Sequence, residues 1–401
     1  MGNKIEIGFD ASDSQETRPK GQALDVTSDS TTNIADEESK VSQRPTDTIK
    51  ESTDTIKEPD YNYELGCMLG AFLGDALGSY VEFNPKPTNE QVEAALKMPG
   101  GGPWGLDPGQ LTDDSELALS QAYGLIDGKG KLSLESIARY YAQWVNSPPF
   151  DIGQTTRNAF SGLWKKPSEH SNHAALCIDS SAKSNQGSQS NGGLMRMSPL
   201  AIWCSKLSES DLERAVKAEL SLTHPNIGVH EAGITYCLAI KHLLANPGDM
   251  KGAFKEVEDY IGKRPSCTIR SWLTEVKEGN LPKANTKIGW VKIAWTYTMH
   301  YLRTEQKDYY AVMKEVLSKG GDTDTNACIV GAAIGAAVGL DNLPKEWVEK
   351  AKNLDVSLET ARCKRGPWYN PRNVWKVVPE LLKIRPTKLE FDDIEWSKYF
   401  S

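Results

Sequence analysis

The sequence lacks the long apolar runs that a membrane-spanning helix requires. No stretch of 18 residues is continuously apolar, which argues against a transmembrane helix. The N-terminal residues lack the apolar core of a secretory signal peptide, and Glu6 stands where a myristoylation signal has Ser or Thr. These absences predict a protein without membrane contact.

Cysteine pairs with metal-binding or redox spacing are also missing. The seven cysteines are an odd number, spread from Cys67 to Cys363, and none belongs to a C-x-x-C motif. Such cysteines are typical of buried, reduced thiols in an intracellular protein. We therefore expect the protein inside the cell, in the cytoplasm, although the sequence leaves a nuclear location open.

An excess of basic charge is the third absence. Residues 1–60 hold 7 Lys and Arg against 14 Asp and Glu, and the remaining residues hold 39 against 40. A nearly neutral folded part offers no basic surface to nucleic acid. The first 60 residues are rich in Ser, Thr, Asp and Glu, and Phe9 is their one aromatic residue. They are predicted to form a disordered acidic tail.

The remaining residues, 61–401, are predicted to form an all-α domain. Alternating β-branched runs are absent, whereas apolar residues recur at helical spacing. Glycine at every fourth position from Gly66 to Gly78 predicts a helix face that packs closely against another helix. The polar range 165–190 is predicted to be an exposed insertion, with His170 and His173 solvated. Helices are predicted at 65–76, from 112, at 134–145, with a start within 150–156, at 230–244 and at 327–340.

The first of two acidic motifs is Thr112-Asp113-Asp114. An apolar periodic run follows at once, which predicts a helix with Thr112 near its N-cap and both carboxylates in its first turn. At a helix end the side chains of these adjacent residues can all contact one bound group. A single motif of this kind is most simply explained as helix capping.

The second acidic motif lies far along the chain, within Gly320–Asn326. Asp322, Asp324 and Thr325 are found at the start of a small-residue helical run. If the two helix starts face each other, four carboxylates would repel one another, and one or two divalent cations would remove that cost. All of these donors are hard oxygens, which favours Mg²⁺, Mn²⁺ or Ca²⁺ over Zn²⁺.

Two acidic residues near the first predicted helix have distinct interpretations. Asp75 lies within an apolar helix, where an aspartate requires partners, and we interpret it as a structural acceptor of backbone or hydroxyl hydrogen bonds. Glu82 follows where that helix runs out. It is either a solvated surface residue or an acid placed above a site.

A glycine-rich turn and a histidine also leave alternatives open. The turn Asn191-Gly192-Gly193 leads into an apolar helix and exposes N–H groups that suit an anion, or it is an ordinary glycine-rich turn. His224 contacts a phosphate group, or it packs near a helix start. Either feature alone favours the structural alternative.

Five stretches, in this order, resemble the ADP-ribosylglycohydrolase family. They run from about Gly66 to Gly339, and their combination is specific although each alone is weak. The stretches are G-C-M-L-G-A-F-L-G-D-A-L-G-S-Y-V-E-F, G-G-G-P-W-G-L-D-P-G-Q-L-T-D-D-S-E, F-D-I-G-Q-T-T-R, S-N-G-G-L-M-R-M-S-P-L and G-G-D-T-D-T-N-A.

The resemblance implies a single compact, orthogonal helical domain whose cleft holds two Mg²⁺ ions, with Mn²⁺ as an alternative. Gly193 would lie near a diphosphate, with His224 close by. The implied metal ligands are Thr112, Asp113, Asp114, Asp322, Asp324 and Thr325. The implied substrate-binding residues are Asp151, Gly153, Asn191, Gly192, Gly193, Met195 and His224.

The implied activity is hydrolysis of the bond between the anomeric carbon of ADP-ribose and an acceptor. The partner would be an ADP-ribosylated protein or a small ADP-ribose conjugate, and we expect a monomer. The implied catalytic residues are Glu82, Asp113, Asp114 and Asp324, with Glu82 the first choice for proton transfer. Retention of all four aspartates favours an enzyme over a catalytically silent ADP-ribose sensor. Arg-linked, Ser-linked and acetylated ADP-ribose all remain open as substrates.

Overall fold

A computed structural model describes residues 61–164 and 172–400, and every regular element in these ranges is helical, as predicted. The predicted tail 1–60 and His170 lie outside the described residues. The α-helices are α1 (Asn62–Gly78), α2 (Asn89–Ala95), α3 (Asp113–Asp127), α4 (Leu134–Val145), α5 (Gln154–Ala159), α6 (His173–Ser184), α7 (Ser198–Trp203), α8 (Glu209–Ser221), α9 (Ile227–Ala245), α10 (Met250–Gly262), α11 (Arg270–Glu278), α12 (Val291–Thr304), α13 (Tyr309–Ser318), α14 (Thr323–Val338), α15 (Lys345–Asn353), α16 (Val374–Ile384) and α17 (Ile394–Tyr399). Short 3₁₀ turns cover Phe160–Gly162, Asn191–Gly193, Cys204–Lys206, Leu340–Asn342, Pro367–Tyr369 and Pro371–Asn373.

Helices α1 and α14 form the antiparallel pair at the centre of the fold. They touch through the predicted glycine face, where a Cβ atom on Gly66 would lie 2.5 Å from the Gly335 carbonyl oxygen and one on Gly74 would lie 2.1 Å from that of Ala327. These distances leave no room for a side chain. The antiparallel arrangement brings the end of α1 to the start of α14, where the Thr323 hydroxyl donates to the Gly78 carbonyl at 2.7 Å.

The other long helices cover this pair. Helices α9, α12 and α13 pack along α14, whereas α7 and α16 pack along α1. The core between them contains fully buried Trp144, Trp203 and Trp295. All seven cysteines are free and six are buried, which confirms the prediction of buried thiols. In the described ranges, the length and apolarity needed to cross a bilayer are not combined in any helix.

The prediction of an exposed insertion is wrong for residues 173–184. These residues form α6, which buries Ala174, Cys177 and Ile178. His173 is also buried rather than solvated, because its Nδ1 atom lies 2.6 Å from Glu135 Oε1 on α4. The exposed polar residues Asp179 and Lys183 lie one turn apart on the outer face of this packed helix.

Candidate metal centre and ligand cleft

Asp75 of α1 accepts hydrogen bonds from backbone and hydroxyl groups, as predicted, and its partners lie at the start of α3. Its fully buried carboxylate accepts hydrogen bonds from the Thr112 N–H at 3.1 Å, the Thr112 hydroxyl at 2.8 Å and the Ser115 N–H at 3.3 Å. Burial raises the pKa of Asp75 to about 6, and these hydrogen bonds oppose the shift. The first turn of α3 is thereby tied to the last turn of α1.

The first turn of α3 carries the first acidic motif in the predicted position. Thr112 is the N-cap residue, and Asp113 and Asp114 open the helix. The Thr112 hydroxyl caps no backbone group but lies 3.0 Å from Asp114 Oδ2 as well as close to Asp75. Both aspartates are at most 7% exposed, so capping alone does not explain them.

The second acidic motif opens α14 and meets Glu82. One carboxylate oxygen from each of Glu82, Asp322 and Asp324 lies within 4.8 Å of the other two. Asp322 also accepts a hydrogen bond from the Asn191 side-chain amide at 2.7 Å. Three acidic groups from two distant parts of the sequence thus converge on one point.

Glu82 is buried, so its interpretation as a solvated surface residue is wrong. It is 6% exposed, and its Oε2 atom accepts a hydrogen bond from the Trp104 indole at 2.7 Å. The turn that carries it is tied to the second motif, because the Phe83 N–H donates to the Gly321 carbonyl and the Gly321 N–H donates to that of Asn84, both at 2.9 Å.

Mutual repulsion and burial dominate the electrostatics of the centre. Burial and the nearby Asp151 raise the pKa of Glu82 to about 8. Burial, then neighbouring carboxylates, raise the pKa values of Asp113, Asp114 and Asp324 well above the ordinary range. Such shifts mark groups that cannot all carry charge together unless a cation compensates them.

The residues present fit a divalent cation with a preference for hard oxygen ligands. Asp114 Oδ1 is buried and has no hydrogen-bond partner. Carboxyl groups also lie close together, because one oxygen each of Glu82, Asp322 and Asp324 lies within 4.8 Å of the others. A divalent cation would compensate these charges at once, whereas without it protons must do so.

A cleft with a volume of about 280 Å³ opens beside the acidic centre. Its acidic end holds most of the predicted metal ligands, and its other walls are neutral. The predicted residues that line it are Glu82, Asp113, Asp151, Gly153, Asn191, Gly192, Met195, Asp322, Asp324 and Thr325. The predicted residues that do not line it are Thr112, Asp114, Gly193 and His224.

His224 and Gly193 lie behind the neutral wall. His224 is fully buried, with Nδ1 2.7 Å from the Thr223 hydroxyl and Nε2 2.8 Å from that of Ser190. A Cβ atom on Gly193 would lie 2.9 Å from a Val229 methyl group, so the turn is pressed against the helix behind it. Both residues support the wall from the side facing away from the cleft.

Several residues of the cleft escaped the sequence analysis. Ser190, Ile288 and Gly289 line it, and Gly289 accepts the Asn191 N–H at 2.9 Å. Ile288 and Gly289 are far from every recognised motif, and no local signal marks them. The partner role of Trp104 was also missed, because its hydrogen bond to Glu82 spans 22 residues and no local pattern reveals it.

A buried arginine, Arg365, holds the loop that leads to Asp151. Arg365 donates to both oxygens of Glu116, at 2.8 and 2.6 Å, and to the carbonyl of Pro148 at 3.2 Å. Glu116 lies one turn beyond Asp113 on α3. The charge pair therefore links the acidic helix start to the loop that supplies Asp151.

The fold and the site define an all-helical protein with an acidic centre at one end of a small-molecule cleft. The ADP-ribosylglycohydrolase family pattern matches residues 60–370. The chain therefore belongs to the ADP-ribosylglycohydrolase family, as its motifs predicted.

Individual relatives agree with this assignment. The protein L543 of Acanthamoeba polyphaga mimivirus is 31% identical over 335 residues, which cover 77% of this chain and 95% of L543. The ADP-ribosyl-[dinitrogen reductase] glycohydrolase of Rhodospirillum rubrum is 29% identical over 296 residues, which cover 74% of this chain and 91% of the relative. A solved structure described as an ADP-ribosylglycohydrolase-related protein complex superposes with a TM-score of 0.61 at 22% identity, covers 81% of this chain and 98% of its own, and supports the fold.

Proposed function

We propose that this chain is a metal-dependent hydrolase that cleaves the glycosidic bond between ADP-ribose and an acceptor and releases ADP-ribose. The observation that carries the proposal is the convergence of Glu82 and two acidic helix starts at one end of a cleft of about 280 Å³. That volume is close to the lower end of the usual range of about 300–1,000 Å³ for small-molecule sites. Family membership supplies the class of substrate.

The acidic end is proposed to bind two Mg²⁺ ions, for which Mn²⁺ is an alternative. When bound, such ions supply a Lewis acid that can fix ribose hydroxyls and lower the pKa of a water molecule. The proposed ligands are Thr112, Asp113, Asp114, Asp322, Asp324 and Thr325. The unpartnered Asp114 Oδ1 atom supports this assignment, since a buried carboxylate oxygen requires a partner.

Glu82 is proposed to transfer the proton at the scissile bond. Hydrolysis of a glycosidic bond passes through an oxocarbenium-like transition state and requires protonation of the leaving group or deprotonation of water. Glu82 lines the cleft next to Asp322 and Asp324, and the Trp104 indole fixes its orientation. Its carboxyl group can therefore face an anomeric carbon held at the acidic end.

The acceptor is proposed to be a protein side chain or a small conjugate. The relative from R. rubrum is named for its action on ADP-ribosylated dinitrogen reductase, a protein, which favours the first of these classes. Arg, Ser and acetyl linkages remain separate candidates. A direct comparison of substrates distinguishes them.

The decisive experiment measures release of free ADP-ribose from Arg-linked and Ser-linked protein and from acetylated ADP-ribose. Wild type is assayed with Mg²⁺ and with EDTA, beside Asp324→Ala and the exposed control Asp179→Ala. We expect release by wild type and the control with Mg²⁺ only, and a loss of at least about 100-fold for Asp324→Ala. Binding of ADP-ribose without release from any linkage would instead establish the sensor alternative.

A further inference from the structure

A second cavity opens between α3, α4 and the turn Pro367–Tyr369. Its volume is about 570 Å³, compared with about 280 Å³ for the cleft beside the acidic centre, and the two cavities share no lining residue. This volume lies within the usual range of about 300–1,000 Å³ for small-molecule sites. We call this cavity the aromatic pocket, and its lining residues are Ser120, Tyr123, Tyr140, Gln143, Ser147, Gly366, Trp368 and Tyr369.

Three aromatic rings of the pocket are inclined to one another. The ring centroid of Tyr123 lies 5.6 Å from that of Tyr140 and 6.3 Å from that of Trp368, with interplanar angles of 40° and 80°. Rings inclined in this way form a concave wall rather than a flat one. A compact, rounded group can contact several of these rings at once, whereas a flat ligand can lie parallel to only one of them.

Trp368 is held in place although it is exposed. Its side chain is 64% exposed, more than any other large hydrophobic side chain in the described ranges. The turn that carries it is fixed, because the Trp368 carbonyl accepts hydrogen bonds from the Tyr123 hydroxyl at 2.8 Å and from the Asn373 side-chain amide at 2.9 Å. A large aromatic side chain is thereby kept in solvent at the edge of a cavity, where it is available to a ligand.

The hydroxyl groups of two tyrosines in the pocket already donate to other groups of the protein. The Tyr123 hydroxyl donates to the Trp368 carbonyl, and the Tyr140 hydroxyl donates to Asp127 Oδ2 at 3.1 Å. The charge of Asp127 is balanced by Arg139, whose Nη2 atom lies 3.0 Å from the same oxygen. Each phenol has one proton, so both phenol oxygens offer only lone pairs to a ligand.

The two serines of the pocket are in the same state. The Ser120 hydroxyl donates to the Glu116 carbonyl at 2.9 Å, and the Ser147 hydroxyl donates to the Trp144 carbonyl at 2.6 Å. Arg365 lies beneath the pocket and donates to the Ser147 hydroxyl oxygen at 3.0 Å, while its own charge is paired with Glu116. Among the two serines and three tyrosines of the lining, all but Tyr369 therefore have their hydroxyl protons bound within the protein.

The aromatic pocket accordingly presents an electron-rich surface. Aromatic faces carry the negative part of the ring quadrupole, and the hydroxyl oxygens present lone pairs. None of the eight lining residues carries a charge, so an anion would meet no compensating cation there. A cation whose charge is spread over methyl groups is attracted to ring faces and requires no hydrogen-bond acceptor.

We propose that the aromatic pocket binds a quaternary ammonium group, which the inclined rings of Tyr123, Tyr140 and Trp368 hold by cation–π contacts. Such a group occurs in small molecules such as choline and in trimethylated lysine side chains, and its chemistry is the same in both. The pocket is separate from the acidic centre, so this proposal does not depend on the proposed hydrolase activity.

The first test compares choline with its uncharged carbon isostere, in which a carbon atom replaces the charged nitrogen. Each is titrated by calorimetry into the full chain at constant ionic strength, with Mg²⁺ present to compensate the carboxylates of the acidic centre. We expect choline to bind at least about tenfold more tightly, because only choline gains the cation–π attraction. Equal affinities, or no saturable binding of choline, would overturn the proposal.

The second test locates the site with two variants of Trp368. Trp368→Leu keeps an apolar side chain without a ring, whereas Trp368→Phe keeps a ring and serves as the matched control. Since Trp368 is mostly exposed, neither variant should change the melting temperature appreciably. We expect choline affinity to fall at least about fivefold for Trp368→Leu and much less for Trp368→Phe. Unchanged affinity in Trp368→Leu, or equal losses in both variants, would overturn the proposal.

Further ligands identify the source of the ammonium group. A peptide with one trimethyllysine is compared with its unmethylated form and with free choline. Both outcomes support the site, because tighter binding of the trimethylated peptide would indicate a protein partner and tighter binding of choline a small molecule. Binding of adenosine that depends on Trp368, without binding of choline, would instead indicate a flat heterocyclic ligand and overturn the proposal.

Discussion

Asp324 lies where the fold collects most of its negative charge. It is 1% exposed, its carboxyl group contacts that of Glu82, and Asp114 and Asp322 raise its pKa further after burial. A group in such surroundings destabilises the metal-free fold whenever it ionises. Its negative charge favours cation binding but destabilises the metal-free fold. The same residue therefore has opposite effects on metal affinity and on stability.

Asp324→Asn should separate the effect on stability from the effect on metal affinity. The variant removes one repelling charge, so its melting temperature in EDTA should exceed that of wild type. At Mg²⁺ concentrations about 100-fold above Kd, wild type should gain about 2.7 kcal/mol of unfolding free energy and the variant close to none. Melting curves with Mg²⁺ and with EDTA test this, with exposed Asp179→Asn as the control. A variant that melts below wild type in EDTA and still responds to Mg²⁺ would contradict the proposed ligand role.

Metal binding should depend on pH through the same carboxyl groups. The pKa of Glu82 is raised from an ordinary 4.5 to about 8, so the folded, metal-free protein holds this proton while the unfolded chain has lost it. The unfolding free energy of the metal-free protein should therefore fall as pH rises, by about 2 kcal/mol between pH 6.5 and pH 8. His224 and His230 have lowered pKa values, so they affect the unfolding free energy only below about pH 6.5. In that range their contribution rises with pH, opposite to that of Glu82.

Two measurements check this pH dependence. Urea unfolding in EDTA at pH 6.5 and pH 8 reports the free energy directly. Calorimetry of Mg²⁺ binding at pH 7 in buffers of different ionisation enthalpy should show proton release, because the ligands bind as carboxylates. Binding enthalpies that do not vary with the buffer would show that the carboxyl groups are already ionised.

At the residue scale, the sequence predicted correctly that two short acidic motifs open helices, whereas the roles proposed for their residues stay predictions. Asp113, Asp114, Asp322 and Asp324 were found because each pair opens a helix. Local patterns do not reveal a partner that is distant in the chain. Glu82 was left open for this reason, and the pairing of Arg196 with Glu219 went unnoticed because either residue alone reads as a solvated charge.

At the element scale, the contact between α1 and α14 depends on the absence of side chains. Gly74→Ala would place a methyl group 2.1 Å from the Ala327 carbonyl oxygen, and both atoms belong to rigid helix backbones. We expect the free energy of unfolding to fall by about 3 kcal/mol, with a matching loss of Mg²⁺ response as the two helix ends separate.

Gly262→Ala is the matched control for this prediction. Gly262 closes α10, and a Cβ atom there meets nothing within 4 Å, so the substitution should be neutral or stabilising by up to about 1 kcal/mol. Denaturant unfolding of both variants provides the measurement. Equal effects at the two positions would show that helix propensity, rather than close packing, governs α1.

Helix prediction depended on how much apolar surface each helix buries. Helix α4 has the predicted bounds because its apolar face is broad. Helix α2 was missed although Thr88 and Gln91 form the reciprocal cap of a helix start, since only Val92 and Ala95 are buried along it. Helix α6 lies within the predicted exposed insertion 165–190, because Asn, Ser, Gln and Lys are prominent in that range and the helix buries few apolar residues.

At the scale of the whole molecule, the first 60 residues are expected to be separable from the activity. Every proposed ligand and catalytic residue lies between Glu82 and Thr325, and the family match begins at residue 60. Deletion of residues 1–60 should leave kcat/KM for ADP-ribose release and the melting temperature unchanged. A deletion to residue 70 is the control, because it removes half of α1 and should abolish folding. Reduced kcat/KM in the shorter deletion would assign the tail a part in substrate recognition.

The pairing of α1 with α14 also sets when the centre can form during synthesis. Gly78 and Thr323, which touch in the folded protein, are separated by 245 positions in the chain. At about 5–20 residues per second, a ribosome needs from about ten seconds to most of a minute to make the chain between them. Until then α1 exposes its glycine face and the neighbouring apolar residues without their partner helix, and Glu82 lacks its contacts with the second acidic motif. The nascent chain is thus most exposed to chaperones and to aggregation in this interval, before α14 leaves the exit tunnel.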